Sequence, residues 1–287
     1  MSGLIPNTPE WEAMRKEKIG ASDAPVLMGV SPYDTPYSLW QKKLDLLPQT
    51  QMTWPMERGH NLEPLAREQI SQQLGVALAP QVKFHSSIPW MMATLDGLSD
   101  DRQTLVEIKC PGETDHQIAL SGQIPEKYYP QIQHQLEVCE LEKGYYFSFD
   151  GKAGIMIEFF RDDKYIKKLI SIEKEFYSCM QDLSPPDLTE KDYLTVESPE
   201  WFMLASQWRQ INSQLETLER EEKKLREGLI SLCGTQNSTG GGVKVSRFLR
   251  KGSIDYAKVP QLQGLNLDKF RKKPVECWKI ISTKEGR

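Results

Sequence analysis

Residues 96–109 of the chain read DGLSDDRQTLVEIK. The end of this stretch alternates polar and apolar residues, as in a β-strand whose successive side chains point to opposite faces of the sheet. Glu107 and Lys109 therefore share a polar face, while Val106 and Ile108 point into apolar packing. We expect the residues before the polar turn to form the antiparallel partner strand, which brings Asp96 close to Glu107.

Two carboxylates and a lysine are costly to gather at one place unless a cation lies between them. Oxygen ligands without thiolate or imidazole select a hard ion such as Mg²⁺ or Mn²⁺. Asp96, Glu107 and Lys109 are thus candidates for a metal-dependent site. The alternative is a hairpin with an exposed salt bridge, worth about 0–1 kcal/mol.

The order Asp, spacer, Glu, any residue, Lys resembles the core of the PD-(D/E)xK nucleases. Three other parts of the chain read WEAMR followed by IGASD in 11–23, RGHNLEP in 58–64 and YYPQIQ in 128–133. With these motifs in this order, the chain resembles the YqaJ-like viral recombinases, the family of lambda exonuclease. The resemblance runs from about Trp11 to Phe149.

The resemblance assigns roles within the central motif. Asp96, Glu107 and the backbone carbonyl of Ile108 match the metal ligands of the family, and Lys109 matches its catalytic lysine. It implies one or two Mg²⁺ ions per active site, for which Mn²⁺ can substitute. Such a site polarises a phosphoryl oxygen and acidifies a bound water, and the lysine orients that water. The alternative for Lys109 is a plain charge partner of Glu107.

Two further candidates lie on predicted helices. Glu63 opens a helical pattern from about Glu63 to Leu74, so it is expected near a helix N-terminus, where a carboxylate is favoured. By resemblance it matches an acidic residue that holds metal directly or through water. Gln131 shares a helix face with Gln135 and matches a glutamine that hydrogen-bonds near the scissile phosphate. The alternatives are a dipole partner for Glu63 and a solvated side chain for Gln131.

Arg15 and Ser22 match family positions that bind the phosphate at a 5′ end of DNA. A guanidinium fork with a hydroxyl suits a terminal phosphate dianion, the group that distinguishes a strand end from the middle of a duplex. The alternatives are a surface charge for Arg15, and a helix N-cap for Ser22 just before Ala24-Pro25.

The composition sets bounds on class and compartment. The chain has 287 residues, a formal net charge of −4 and five cysteines without a CxxC pair. This usage predicts a reducing cytoplasm without a zinc cluster or a disulfide framework. No run of about 18 apolar residues and no basic-then-apolar leader is present, so neither a membrane span nor secretion is expected. By resemblance, the compartment is the cytoplasm of a bacterial host, with a phage or prophage origin.

Periodicity predicts the organisation of the chain. A mixed α/β (α+β) core with a central sheet flanked by helices is expected within 1–199, and a long helix with a small basic lobe within 200–287. In the core, the expected elements are a helical and loop region to about residue 48, strands near 82–85, 90–96, 104–110, 145–150 and 155–160, and helices near 129–139 and 164–181.

After Pro199, apolar residues recur at alternating steps of four and three from Leu204 to Leu232, with Glu222 as the one break. This spacing predicts a long amphipathic helix of coiled-coil character that ends at Cys233-Gly234. The helix is expected to pack against its own chain or a neighbouring subunit. Strands within 243–248 and 277–281 are expected to follow it.

The segment 240–287 carries twelve Lys or Arg against four Asp or Glu, a local balance of +8. Four aromatic residues are interleaved with these charges. Such a segment can follow a phosphate backbone. It can equally be the solvated basic rim of a small packed lobe.

Three classes of function remain open from the sequence. The first, implied by the resemblance, is a 5′-to-3′ exonuclease that degrades one strand of linear double-stranded DNA and leaves 3′ single-stranded overhangs for homologous recombination. By the same resemblance it is a ring-shaped homotrimer on double-stranded DNA ends that works beside a single-strand annealing protein. The others are a structure- or sequence-specific DNA endonuclease and a catalytically silent DNA-binding or coiled-coil interaction protein.

Overall fold

The computed structural model describes residues 4–6, 8–47, 53–265, 267–275 and 277–282. Four charged residues of the basic C-terminal segment lie outside them, namely Glu276, Lys284, Glu285 and Arg287. The chain forms two compact units, one up to Leu194 and one from Thr195 onwards. The domain boundary expected between 199 and 200 stays a prediction.

The first unit contains one mixed sheet in the order β1-β3-β4-β5-β6, with β2 also paired to β3. The strands are β1 (Ile19–Gly20), β2 (Leu78–Phe84), β3 (Met91–Ser99), β4 (Leu105–Lys109), β5 (Lys143–Phe149) and β6 (Gly154–Phe160). β4 and β5 run parallel, whereas β3 pairs antiparallel with both β2 and β4. The parallel step requires a crossover between β4 and β5, which a helical connection makes.

Seven α-helices surround this sheet in the described part of the first unit. They are α1 (Pro9–Glu17), α2 (Ala24–Leu27), α3 (Pro36–Lys43), α4 (Trp54–Leu74), α5 (Glu113–Leu120), α6 (Tyr129–Cys139) and α7 (Asp163–Gln181). A 3-10 turn, Ala21–Asp23, joins β1 to α2. The expected class, a central mixed sheet flanked by helices, is confirmed.

The alternation of β4 divides the core between the two faces of the sheet. Leu105 packs with Ile132 and Leu136 of α6 on one face. On the other face, Val106 and Ile108 pack with two residues of α4 and two of β5, namely Ala66, Ile70, Phe147 and Phe149. All nine side chains are buried. The sheet is therefore held between α4 and α6, the two helices that carry Glu63 and Gln131.

The helix that carries Glu63 begins earlier than the sequence pattern indicates. Its N-cap is Thr53, and Pro64 lies inside the helix instead of at its start. A proline lacks the N–H that a helix interior uses and is common at a helix start, so the sequence pattern suggests a start here. In α4 the surrounding packing holds the helix together across Pro64. Glu63 thus lies in the middle of α4, and the expected position near a helix N-terminus was wrong.

The second unit consists of a long helix and a small hairpin. The helix α8 runs from Pro199 to Cys233, as the heptad spacing predicts, and none of its residues is buried. A short antiparallel pair follows, β7 (Ser238–Gly240) and β8 (Val243–Val245). Residues 277–282 have no regular secondary structure, so the strand expected within 277–281 is absent. None of the helices in the described part of the chain is both long and apolar enough to cross a membrane.

Candidate active site

A β-bulge places Asp96 at the point where β3 stops pairing with β4. Between the pairs Ala79–Leu98 and Gln81–Leu95, β2 has one residue and β3 has two, Asp96 and Gly97. Bulges bend a strand and redirect its side chains, and they are common beside active sites. The β3–β4 ladder ends at the pair Gly97–Val106, and Asp96 Oδ2 accepts a hydrogen bond from the Ile108 backbone N–H at 2.9 Å.

Glu107 is a fully buried carboxylate that accepts hydrogen bonds from three side chains. Gln131 Nε2 donates to its Oε1 at 2.6 Å, Gln135 Nε2 donates to its Oε2 at 2.5 Å, and Lys109 Nζ donates to Oε1. A buried carboxylate is tolerated where such donors satisfy it. Gln131 and Gln135 reach the same carboxylate because they lie one helical turn apart on α6.

Lys109 is held as a cation at this place. Burial lowers the pKa of its amine, but the attraction of Glu107 and of Asp96 outweighs this effect and raises the pKa above its ordinary value. The ammonium also lies 5.3 Å from the centre of the Tyr128 ring, within the range of a cation–π contact. Its side chain keeps 23% of its surface exposed, so it still reaches the solvent-filled space beside the site.

Asp96 is a partly buried carboxylate that lies near two others, Glu107 and Glu63. Burial raises its pKa well above the ordinary value, and the negative charge of Glu107 adds to this effect, as does that of Glu63. Lys109 and the Ile108 N–H lower the pKa and do not compensate for the rise. A positive charge added beside Asp96 would therefore be stabilised.

Glu63 faces the same place from α4, where Arg67 holds it in an ion pair one turn further along the helix. Arg67 also donates from Nε to the backbone carbonyl of Asp96 at 2.5 Å, so α4 is joined to the bulge of β3. Among the residues that the structure describes, no three or more His, Cys, Asp or Glu side chains are arranged to hold a metal ion. Glu63 is thus near the other two carboxylates without forming a ready ligand set with them.

These residues surround a cavity of about 350 Å³ that opens to solvent. Its wall is formed by Met56, Gly59, Glu63, Asp96, Ile108, Lys109, Cys110, Pro111 and Tyr128. The donors beside it are carboxylate and carbonyl oxygens, which suit a hard divalent cation. The residues present therefore fit the Mg²⁺ or Mn²⁺ ion that the sequence motif implies.

The two candidates for a terminal phosphate lie together, apart from this cavity wall. Arg15 Nη2 donates to Ser22 Oγ at 2.8 Å, and the guanidinium lies 4.8 Å from the centre of the Trp11 ring. Ser22 lies inside the 3-10 turn and makes no cap, so the alternative of a helix N-cap was wrong. The Arg15 side chain is 35% exposed, which leaves its free edge open to a ligand.

Sequence reasoning missed two arginines beside the cavity. Arg58 donates from Nη1 to the carbonyls of Cys110 and Pro111 and from Nη2 to the carbonyl of Asp150. These contacts fix the segment that follows Lys109. Arg67 was detectable, because its distance of four residues from Glu63 is the spacing of a helical ion pair. Nothing local in the sequence indicates the contacts of Arg58, which span 52 to 92 positions.

Comparison with known proteins gives one domain and one curated relative. The sequence model of the YqaJ-like viral recombinase domain matches residues 10–142. The uncharacterised protein YqaJ of Bacillus subtilis (strain 168) is 26% identical over 175 residues, which are 59% of this chain and 55% of that protein. The chain thus spans about half the length of this relative.

Two crystal structures are among the solved structures that are similar to the chain. Both are of LHK-Exo, an alkaline exonuclease from Laribacter hongkongensis, and one of them is a complex with dAMP. The sequences are 26% and 25% identical, each match has a TM-score of 0.54, and each covers 62% of this chain and 94% of the other. The resemblance expected from the sequence motifs is thereby confirmed, and the fold is of the restriction-endonuclease-like type.

Proposed function

Because residues 10–142 match the sequence model of the YqaJ-like viral recombinase domain, we propose that the chain is a Mg²⁺-dependent exonuclease of double-stranded DNA. It degrades one strand of a linear duplex in the 5′-to-3′ direction and leaves a 3′ single-stranded overhang for homologous recombination. The exonuclease activity named for LHK-Exo, whose chain is matched over 94% of its length, supports the coarser part of this proposal, a nuclease.

One observation carries the proposal. Asp96, Glu107, Lys109 and Gln131 come from three separate elements and meet beside one open cavity. A buried carboxylate, a half-buried lysine and a carboxylate of raised pKa are costly for a fold that needs only stability. Together they are the groups that hydrolysis of a phosphodiester requires.

Each residue of the site has a proposed role that follows from its chemistry. The carboxylates of Asp96 and Glu107 and the carbonyl of Ile108 would hold the metal, with Glu63 acting directly or through water. When bound, Mg²⁺ or Mn²⁺ supplies a Lewis acid that polarises a phosphoryl oxygen. Lys109, held as a cation, donates to the attacking water and to the charge that develops on the phosphate. Gln131 has a second amide hydrogen beyond the one used by Glu107, and this hydrogen can bind the scissile phosphate.

The preference for an end depends on Arg15 and Ser22. A terminal phosphate carries more charge than an internal phosphodiester, and an exposed guanidinium beside a hydroxyl binds it with charge-assisted hydrogen bonds. This pair makes an exonuclease a better description than an endonuclease, which has no use for a group that reads strand ends.

The resemblance extends the proposal to partners and assembly. We propose a ring-shaped homotrimer around double-stranded DNA, acting beside a single-strand annealing protein in the cytoplasm of a bacterial host. Sedimentation of the full chain with and without forked DNA tests the trimer. A monomer under both conditions would contradict it.

The activity itself is tested with purified full-length chain, Mg²⁺, and one plasmid in linear and in covalently closed form. We expect linear duplex to be degraded and closed circles to be spared. Duplexes labelled at the 5′ end or at the 3′ end then report polarity, because 5′-to-3′ digestion releases the 5′ label first. The matched control is Glu113→Gln, a carboxylate on α5 that accepts a hydrogen bond from Gln117, and the test variant is Glu107→Gln.

Each outcome separates the three classes of function. Cleavage of the closed circle indicates an endonuclease on the same core. Binding of linear DNA without cleavage, in Mg²⁺ and in Mn²⁺, indicates a silent DNA-binding protein. Equal activity in Glu107→Gln and in the control would place the reaction elsewhere in the molecule.

A further inference from the structure

A buried ion pair lies directly beneath Arg15. Lys43, at the end of α3, is 8% exposed, and Asp23, at the end of the 3-10 turn, is 4% exposed. Lys43 Nζ donates to Asp23 Oδ2 at 2.5 Å. Buried charges of this kind persist only when nearly all their hydrogen-bonding capacity is used.

All three donors of Lys43 have acceptors. Besides Asp23, the ammonium donates to the backbone carbonyls of Arg15 and Lys18 at 2.8 Å each. These carbonyls belong to the end of α1, where a helix leaves carbonyls without partners. Asp23 Oδ2 in turn accepts from the Gly20 N–H at 2.8 Å. Lys43 thus fixes the backbone of Arg15 to the turn that carries Ser22.

The pair also determines how much charge Arg15 has available. Arg15 Nη2 is 3.9 Å from Asp23 Oδ1, close enough for Asp23 to attract the guanidinium. Lys43 Nζ lies closer, 2.5 Å from Asp23 Oδ2, and interacts more strongly with the carboxylate than Arg15 does. Burial raises the pKa of Asp23, but Lys43, Arg15 and the Gly20 N–H together lower it by more. The pKa therefore lies below its ordinary value, and the carboxylate stays ionised. The three groups together carry one net positive charge, and only Arg15 exposes it.

A comparison within α3 shows that this lysine differs from an ordinary surface lysine. Lys42, its neighbour in the chain, pairs with Asp34 at 2.6 Å, and both side chains are about a third exposed. Lys42 contacts neither α1 nor the 3-10 turn in any bond that the structure describes. The two lysines lie on the same helix and carry the same charged group. Lys43 binds Asp23 and two carbonyls at the end of α1, whereas Lys42 binds Asp34.

We propose that Lys43 and Asp23 are positioning residues for recognition of a terminal phosphate. Lys43 holds the Arg15 backbone in place and neutralises Asp23, so the guanidinium offers its charge to the phosphate instead of to the carboxylate. This inference rests on the proposed role of Arg15 as the group that reads a 5′ phosphate.

The test compares initial rates on two linear duplexes that differ only in a 5′ phosphate or a 5′ hydroxyl. Wild-type chain is expected to prefer the phosphorylated duplex. In Lys43→Met, Asp23 loses its lysine partner and attracts the Arg15 guanidinium more strongly. We therefore expect the preference to fall roughly fivefold or more, mainly through a higher KM for the phosphorylated duplex. Lys42→Met, the matched control, should keep the wild-type preference.

A double variant separates charge from simple structural damage. Asp23→Asn combined with Lys43→Met removes both buried charges and frees Arg15 again. We expect it to regain much of the preference lost in Lys43→Met. Because removal of both charges also relieves the destabilisation that one unpaired buried charge causes, the rates are compared at a temperature at which the unfolding transitions show both variants fully folded.

The outcomes distinguish failure of this inference from failure of the proposed role of Arg15 on which it rests. A wild-type chain without any preference refutes end reading by Arg15, whatever Lys43 does. A wild-type preference that Lys43→Met fully retains overturns the inference alone. If Lys43→Met does not fold, Lys43→Gln, which also removes the charge, takes its place, and a fully retained preference again overturns the inference.

Discussion

The indole Nε1 of Trp11 donates a hydrogen bond to the hydroxyl of Thr94 at 2.9 Å, across 83 positions of the chain. Thr94 precedes Asp96 by two residues in β3, a distance of about 7 Å along a strand. The face of the same indole supports the guanidinium of Arg15. One tryptophan therefore connects the candidate end-reading residue to the strand that carries the candidate metal ligand.

Removal of the guanidinium should abolish discrimination between strand ends. In Arg15→Ala, the loss of one charge-assisted contact of about 1.5–3 kcal/mol corresponds to a tenfold to hundredfold slower reaction on 5′-phosphorylated duplex. Rates on phosphorylated and hydroxyl ends should become nearly equal. Arg161→Ala serves as the control, because Arg161 pairs with Glu137 and Asp163 away from this site. An Arg15→Ala variant with the wild-type preference would remove Arg15 from the site.

Activity should depend on a divalent cation held by oxygen ligands. We expect chelator to abolish degradation of linear duplex and Mg²⁺ or Mn²⁺ to restore it. Asp96→Asn should lower the rate by several orders of magnitude and keep most of the affinity for DNA, since the fold loses no packing. Calorimetric titration with Mn²⁺ reports metal binding independently of activity. Full activity in chelator would contradict the metal proposal.

The charge of Lys109 should matter for the rate and not for assembly of the site. Lys109→Met keeps the length of the side chain and removes the donor, so we expect a loss of about 10²–10³ in kcat with metal and DNA binding retained. Lys143→Met is the control, because Lys143 pairs with Glu158 on an exposed surface. Metal binding that disappeared together with activity would make Lys109 a structural partner of Glu107.

A buried histidine should make stability depend on pH. His134 Nδ1 lies 2.7 Å from Glu173 Oε1, and its Nε2 lies 2.8 Å from the Met92 carbonyl oxygen. Because a carbonyl and a carboxylate can only accept, both ring nitrogens donate, as in an imidazolium. Burial lowers the pKa of His134, but the charge of Glu173 outweighs it and raises the pKa above its ordinary value.

A raised pKa in the folded state stabilises the fold below the unfolded pKa of about 6.5, and this contribution is lost as the pH rises through the folded value. The free energy of unfolding, measured with denaturant across this window, should therefore fall with rising pH in the wild type. His134→Gln should flatten that slope. His60→Gln, an exposed histidine of α4, should leave it unchanged. Equal slopes in all three proteins would contradict the imidazolium.

The core should not accept a side chain at Gly154. A Cβ at this position of β6 would lie 2.0 Å from Phe147 Cζ, so Gly154→Ala forces the buried ring to move. We expect a loss of about 1–3 kcal/mol in the free energy of unfolding. Gly59→Ala is the control and should raise the free energy of unfolding. Nothing lies within 4 Å of a Cβ at this position, and alanine favours a helix over glycine by about 0.5–1 kcal/mol. Equal stability of the two variants would show that Phe147 can be displaced freely.

Local periodicity in the sequence was enough to predict several parts of this molecule. The period of two placed Glu107 and Lys109 on one face of β4, and the spacing of four placed Gln131 and Gln135 together on α6. The bounds of α8 followed from its heptads. These features depend only on neighbours along the chain, because backbone geometry repeats at fixed intervals.

Other features were decided by the tertiary structure. The bulge at Asp96 depends on how β2 pairs with β3, and the interior position of Glu63 depends on packing that holds α4 together across Pro64. The contacts of Lys43 with α1 and Asp23, and of Trp11 with Thr94, join residues far apart in sequence. No local pattern encodes such pairs, because the energy of each contact exists only once the sheet order has brought its partners together. The sequence by itself thus determined which groups can perform the chemistry, and the tertiary structure decided which groups hold them in place.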